Sequence, residues 1–187
     1  YKGIALMNKD DNAGAIKTFN RAIDMFPDDN TLGLSRVYSI LGDIYHNMKE
    51  HKLSDENYRK AIKLEPDNPF SLNNFAYYLS ERGESLDEAE QMSRRSLERA
   101  PNEATFLDTY GWILYKQGKY SKAKEYIQKA LISRPDQSDG TVYDHLGDIL
   151  YKLNDKEGAL QNWQKAKEKG TDNPNLDKKI QEQKLYE

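Results

Sequence analysis

Cysteine is absent from the 187 residues, so disulfides and thiolate metal sites are excluded. No apolar run approaches the roughly 18 residues that a membrane-crossing helix needs. Charge of one sign is not concentrated anywhere. The 28 basic and 31 acidic residues are interspersed, the net charge is −3, and no basic stripe marks a nucleic-acid partner. Histidine occurs three times, as His46, His51 and His145. His46 and His51 lie five apart, so they do not share one helix face, and no His-Glu-x-x-His is present. Asp43 and His46 have i,i+3 spacing, but two ligands fall short of a zinc site and read as a surface ion pair. Gly-x-Ser-x-Gly, the phosphate-cradling P-loop and Gly-x-Gly-x-x-Gly are all missing. The abundant carboxylates read as solvated helix faces with nothing to raise one pKa. No catalytic residues, no cofactor and no metal site are therefore expected, and the chain does not read as an enzyme.

The sequence also lacks an initiating methionine. Tyr1 to Met7 reads as part of a helix rather than as a signal peptide, and we expect the chain to be a piece of a longer one.

What is present is a repeat. Five first helices align on a small residue at their middle. They read Gly3-x2-Leu6, Tyr38-x2-Leu41-Gly42-x2-Tyr45, Leu72-x2-Phe75-Ala76-x2-Leu79, Leu107-x2-Tyr110-Gly111-x2-Leu114 and Tyr143-x2-Leu146-Gly147-x2-Leu150. Five second helices follow, as Ala15-x3-Phe19-x2-Ala22, Ser54-x3-Tyr58-x2-Ala61, Ala89-x3-Ser93-x2-Ser96, Ala123-x3-Ile127-x2-Ala130 and Ala159-x3-Trp163-x2-Ala166. Four of these end at Pro27, Pro66, Pro101 and Pro135, and the fifth at Thr171, with spacings of 34 to 39 residues. The extra residues fall near Asn30–Leu34, in the Glu84–Leu86 turn and near Ser138–Asp139.

Packing explains the pattern. Gly42, Gly111 and Gly147 let a partner helix approach, Ala15, Ala123 and Ala159 do so from the other side, and Tyr58 and Trp163 fill the space alongside. A mid-helix glycine costs about 1 kcal/mol relative to alanine, which packing must offset. The prolines stop each second helix. Asp67-Asn68-Pro69 and Asp172-Asn173-Pro174 read as cap-then-proline helix starts. Ser93 and Ser96 replace a large residue and an alanine, which implies looser packing or a hydroxyl bonded back to its own helix.

This series of aromatic, Leu-Gly, Tyr, Ala, Phe, Ala and Pro resembles the tetratricopeptide repeat (TPR) family over nearly the whole chain. The resemblance implies an all-α fold, a right-handed α-solenoid of about five helix-turn-helix units plus a C-terminal capping helix. The expected repeats are about 1–29, 35–68, 69–102, 103–137 and 140–172 of a single array, with the capping helix at about 174–185. Leu176 and Ile180 give that helix a narrow apolar stripe, and Lys178, Lys179, Glu182 and Lys184 read as its polar remainder. At the other end, Ile4, Leu6, Met7 and Ile16 are expected to form an unfinished apolar edge, where the chain could self-associate.

The resemblance also implies a non-enzymatic scaffold that holds a partner protein or peptide in a concave groove lined by one flank of the first helices. That flank carries Ser39, Asp43 and His46, then Asn73, Tyr77 and Ser80, then Asp108, Trp112 and Tyr115, then Asp144, Asp148 and Tyr151. Tyr77, Trp112, Tyr115 and Tyr151 would form an aromatic ladder of interface anchors, unless they pack on neighbouring helices instead. Asp43, Asp108, Asp144 and Asp148 would favour a basic or amide-rich segment, and Asn73 and Asn74 could bond its backbone. The clamp of Lys, Arg and Asn that grips a C-terminal carboxylate in chaperone-binding members is not matched, Arg36 being a lone candidate. Alternatives are a structural spacer between flanking domains and a peptide-sensing regulatory module. The stretches at 72–79, 107–112 and 145–148 resemble large bacterial repeat proteins, some of them envelope lipoproteins. They imply the cell envelope, with the cytoplasm as the alternative.

Overall fold

The computed structural model of the protein describes residues 2–7, 9, 11–27, 29–134 and 139–186. Pro135 and Ser138 lie outside them. The described residues form eleven α-helices and no strand, and none of the helices is long and apolar enough to cross a membrane. The chain divides into two compact units, 1–75 and 76–187.

Unit 1 contains α1 (Lys2–Met7), α2 (Asn12–Met25), α3 (Thr31–Asn47), α4 (His51–Leu64) and the first turns of α5 (Pro69–Arg82). Three of its helices, α2, α3 and α5, are started by short polar side chains. Asp11 accepts from the Gly14 N–H (2.9 Å) and Asn30 from the Gly33 N–H (3.1 Å), each satisfying a donor that the first turn leaves open. Asn68 accepts from the N–H groups of Phe70 and Ser71 (both 3.1 Å), and Pro69 opens α5, as the cap-then-proline motif requires. Ala15, Phe19, Val37, Leu41 and Ile44 form one core. Leu6, Met7 and Ile16 pack half-buried against it, so of the four residues expected at the N-terminal edge only Ile4 is exposed.

Unit 2 continues with the rest of α5, then α6 (Leu86–Arg99), α7 (Ala104–Lys116), α8 (Tyr120–Ser133), α9 (Gly140–Lys152), α10 (Lys156–Lys169) and α11 (Leu176–Glu182). Within each unit consecutive helices pair, α3 on α4, α7 on α8 and α9 on α10, and the pairs stack through α6 on α7 and α8 on α9. The turns inside the pairs close on left-handed residues, Lys49, Gly83, Gly118 and Asn154. The extra residue of the third turn, Ser85, is also left-handed (φ 44°). Ser96 donates back to the Ser93 carbonyl (2.7 Å), the second of the two expectations for that helix.

The small central residues have a specific task. A Cβ on Gly42 would stand 2.5 Å from the Tyr58 ring, and one on Gly147 would stand 2.4 Å from the Trp163 ring. Both rings are fully buried. The next residue along the first helix is an aspartate in both cases, and it accepts the polar hydrogen of that ring. Tyr58 donates its hydroxyl to Asp43, and Trp163 donates Nε1–H to Asp148 (2.8 Å). A Gly-Asp pair on one helix and a polar aromatic on the other therefore form one unit, in which the ring is buried without stranding its donor. In the fourth repeat Ile127 replaces the aromatic, and Trp112 follows Gly111 instead of an aspartate.

The C-terminal helix differs from expectation. It runs from Leu176 to Glu182 rather than from 174 to 185. Asn173 is spent on a turn, accepting from the Asn175 N–H (2.9 Å), and Gln183 ends the helix in the left-handed region (φ 49°). Lys179, expected on the polar face, is 1% exposed.

Candidate functional site

In unit 1 the flank of α3 and the start of α5 border an open cleft of about 520 Å³. Arg36, Ser39, Ile40 and Asp43 line it from α3, and Phe70, Ser71 and Asn74 from α5, with Leu32, Glu65 and Asn68 at the margins. Leu32 and Phe70 are 65% and 66% exposed, a large apolar area left in water beside the cleft. Ser39 and Ser71 hydroxyls bond each other (2.6 Å) across its floor. Among the described residues Arg36 and Asn74 have no hydrogen bond or ion pair. Asn74 rather than Asn73 faces this cleft. Asn73 is buried, its Oδ1 without a partner among the described residues. His46 is buried as well, its ring 5.9 Å from that of His51. The five-residue spacing was read along a single helix, whereas the turn between α3 and α4 folds the two rings together.

In unit 2 the expected ladder is mostly inside the protein. Trp112 is stacked between Tyr115 (ring centroids 4.7 Å apart) and His145 (4.0 Å), all three buried, with the Lys116 ammonium 5.1 Å from the indole centroid. The helix pattern placed these rings on the groove flank, but the next pair of helices covers that flank with its own His145. Tyr77 and Tyr151 remain half-buried. Tyr77 donates to Glu81 (3.1 Å), and burial, with Glu81 and Asp108 nearby, raises its hydroxyl well above the usual tyrosine range. Tyr151 rests against Trp163 (5.8 Å).

The aspartates of unit 2 are likewise engaged rather than solvated. Asp108 bonds His145 Nδ1 (2.9 Å). Burial works against the imidazolium, but Asp108, Asp144 and Asp148 together raise the His145 pKa above its ordinary value. Asp144 and Asp148 are covered by α11. Lys179 Nζ donates to Asp144 Oδ1 (3.0 Å) and to both oxygens of Asp148 (2.6 and 2.8 Å), and Asn173 donates its amide to Asp144. Burial pushes the Asp148 carboxyl up to about 6 despite the lysine. Neither Lys179 nor His145 stood out in the sequence as a site residue. The usable signal for Lys179 was its place three residues after Leu176 and next to Ile180, inside the apolar stripe.

Three stretches of the chain match models of the tetratricopeptide repeat family, at residues 35–68, 57–91 and 104–137. The chain is a tetratricopeptide-repeat protein. TPR relatives include a TPR repeat-containing protein of Pseudomonas aeruginosa, 31% identical over 77% of this chain and 23% of its own length. The type IV pilus assembly protein PilF of the same species is 27% identical over 62% of this chain and 46% of its own. The chain thus spans less than half the length of these two TPR relatives. Among solved structures, PilW, a type IV pilus biogenesis factor, superposes with a TM-score of 0.78 at 18% identity, covering 89% of this chain and 74% of that one. That likeness shows the shared fold of stacked TPR helix pairs.

Proposed function

We propose that this TPR protein is a non-enzymatic scaffold that holds a segment of a partner protein against the flank of its first helices. The observation that carries the reading is the cleft of α3 and α5. It is open, it is bordered by the large exposed side chains of Leu32 and Phe70, and it offers an unengaged guanidinium and amide in Arg36 and Asn74. Apolar anchors beside polar groups with open valence are the ordinary make-up of a peptide-binding groove. Two carboxylates, Asp43 and Glu65, border the cleft against the single cation of Arg36. The balance favours a segment that places a large apolar side chain on Phe70 and Leu32 and a basic or amide side chain beside Asp43 and Glu65. A relative named for pilus assembly supports a role in bringing proteins together. Of the groups with displaced proton affinities, His145 and Asp148 are spent on contacts between helices of unit 2, which supports the non-enzymatic reading.

The test is selection of extended peptides on the full chain, followed by Phe70→Ala and Asn74→Ala. The expected motif is a bulky apolar residue flanked by Lys, Arg, Asn or Gln, with at least a tenfold loss of affinity in Phe70→Ala and unchanged folding. No selected motif, or affinity indifferent to Phe70, would favour a spacer that only orients its neighbours. Replacing Trp112 and Tyr115 is no test of binding, because both rings are core.

A further inference from the structure

Lys179 sits in a cluster with more negative charge than positive. α7 contributes Asp108, α9 contributes Asp144, His145 and Asp148, α11 contributes Lys179, and α10 adds the uncharged N–H of Trp163. The remaining ion pair between α10 and α11, Lys167 with Asp177 (2.7 Å), lies in solvent. Three carboxylates thus face one ammonium and one imidazole. Even with His145 protonated, one negative charge is left over. An uncompensated buried carboxylate is costly, and the usual remedy is to bind a proton.

The helix that closes this cluster has little else to hold it. It is seven residues long, Leu176 and Lys179 are its buried residues, and Ile180 is half-buried. Short elements with few buried contacts open locally well below the global unfolding free energy. Opening would remove Lys179 and admit water to Asp148, which would then ionise like an ordinary carboxylate. The closed form therefore binds protons more tightly than the open form.

We propose that α11 is a proton-tightened latch: Lys179 seats it over Asp144 and Asp148 on the flank of α9, and it opens as the buried cluster gives up its proton. The elevated proton affinity of Asp148 agrees with the direction. What the latch covers matters, because Asp144 and Asp148 occupy the flank positions that Ser39 and Asp43 occupy in the second repeat, where they line the cleft.

The test is amide hydrogen exchange of residues 176–182 in the full chain between pH 5 and pH 7, corrected for the intrinsic pH dependence of exchange. Protection is expected to fall about tenfold over that range, the loss set by one proton released near pH 6. Asp148→Asn keeps an oxygen for Trp163 and Lys179 but cannot titrate. In that variant the fall should vanish, with protection at pH 7 at least equal to wild type. Protection that is flat or rising with pH in the wild type, which needs no variant to fold, overturns the proposal. So does a fall that persists in Asp148→Asn.

Discussion

Gly147→Ala separates the packing argument from helix propensity, because the two disagree in sign. Propensity alone makes the change stabilising by about 1 kcal/mol, since alanine is the better mid-helix residue. Packing opposes it. The new Cβ would lie 2.4 Å from Trp163 Cδ1 and 2.5 Å from Nε1, well inside any real carbon contact. Trp163 is fully buried and tied to Asp148 at 2.8 Å, so the ring cannot yield without straining its neighbours or losing that bond. Overpacking costs about 1–3 kcal/mol, and a hydrogen bond to a charged group contributes about 1.5–3 kcal/mol. Together, less the propensity gain, they leave a destabilisation of about 1.5–5 kcal/mol. At about 2–4 °C per kcal/mol for a chain of this size, the melting temperature should drop by several degrees. Circular dichroism at 222 nm would follow it, with near-ultraviolet dichroism reporting the tryptophan environment. Adding Trp163→Phe shortens the ring and should make the glycine replacement less damaging than it is alone. A melting temperature raised by Gly147→Ala would refute the reasoning, since it would mean that α9 and α10 are not in close contact there.

Other expectations follow the same logic. Lys179→Met strands two buried carboxylates and should cost about 3–5 kcal/mol in urea titrations, whereas Lys178→Met, on the exposed side of the same helix, should be within about 0.5 kcal/mol of wild type. Asp148 holds its proton more tightly folded, up to about 6, than unfolded, and His145 is shifted the same way. Their contributions are fully present below the ordinary carboxylate range and are lost as pH rises through about 6 and beyond. Unit 2, followed by tryptophan emission during denaturation, should therefore be more resistant near pH 5 than near pH 8, and the opposite order would count against the cluster. Asn68→Ala removes the cap that serves Phe70 and Ser71 and should cost about 1 kcal/mol, visible as a lower thermal midpoint.

The helix pairs were legible because their causes are local and repeated. Glycine or alanine at one spacing, proline at another and a short polar cap before several of the starts, such as Asp11, Asn30, Asn68 and Asp155, leave the backbone few choices, and five copies in phase remove the remaining ambiguity. Asn68-Pro69 started a helix where expected because the capping bond spans only two or three residues. Asn173-Pro174 did not, because Asn173 turns toward Asn175 and reaches Asp144, 29 residues away.

Side-chain exposure on the first-helix flank was a different kind of question. Helical periodicity says which residues share a side, but not what the next helix lays over them. Trp112 disappeared under His145, and Asp144 and Asp148 under Lys179, through contacts more than 30 residues apart in sequence. Meanwhile Leu32, Phe70, Arg36 and Asn74 stayed uncovered and formed the cleft. Sequence alone fixed the repeat, because each unit's pattern answers to its own backbone and its nearest partner. Only tertiary structure decided which polar and aromatic side chains were spent inside and which remained open for a guest, because that depends on who their neighbours turn out to be.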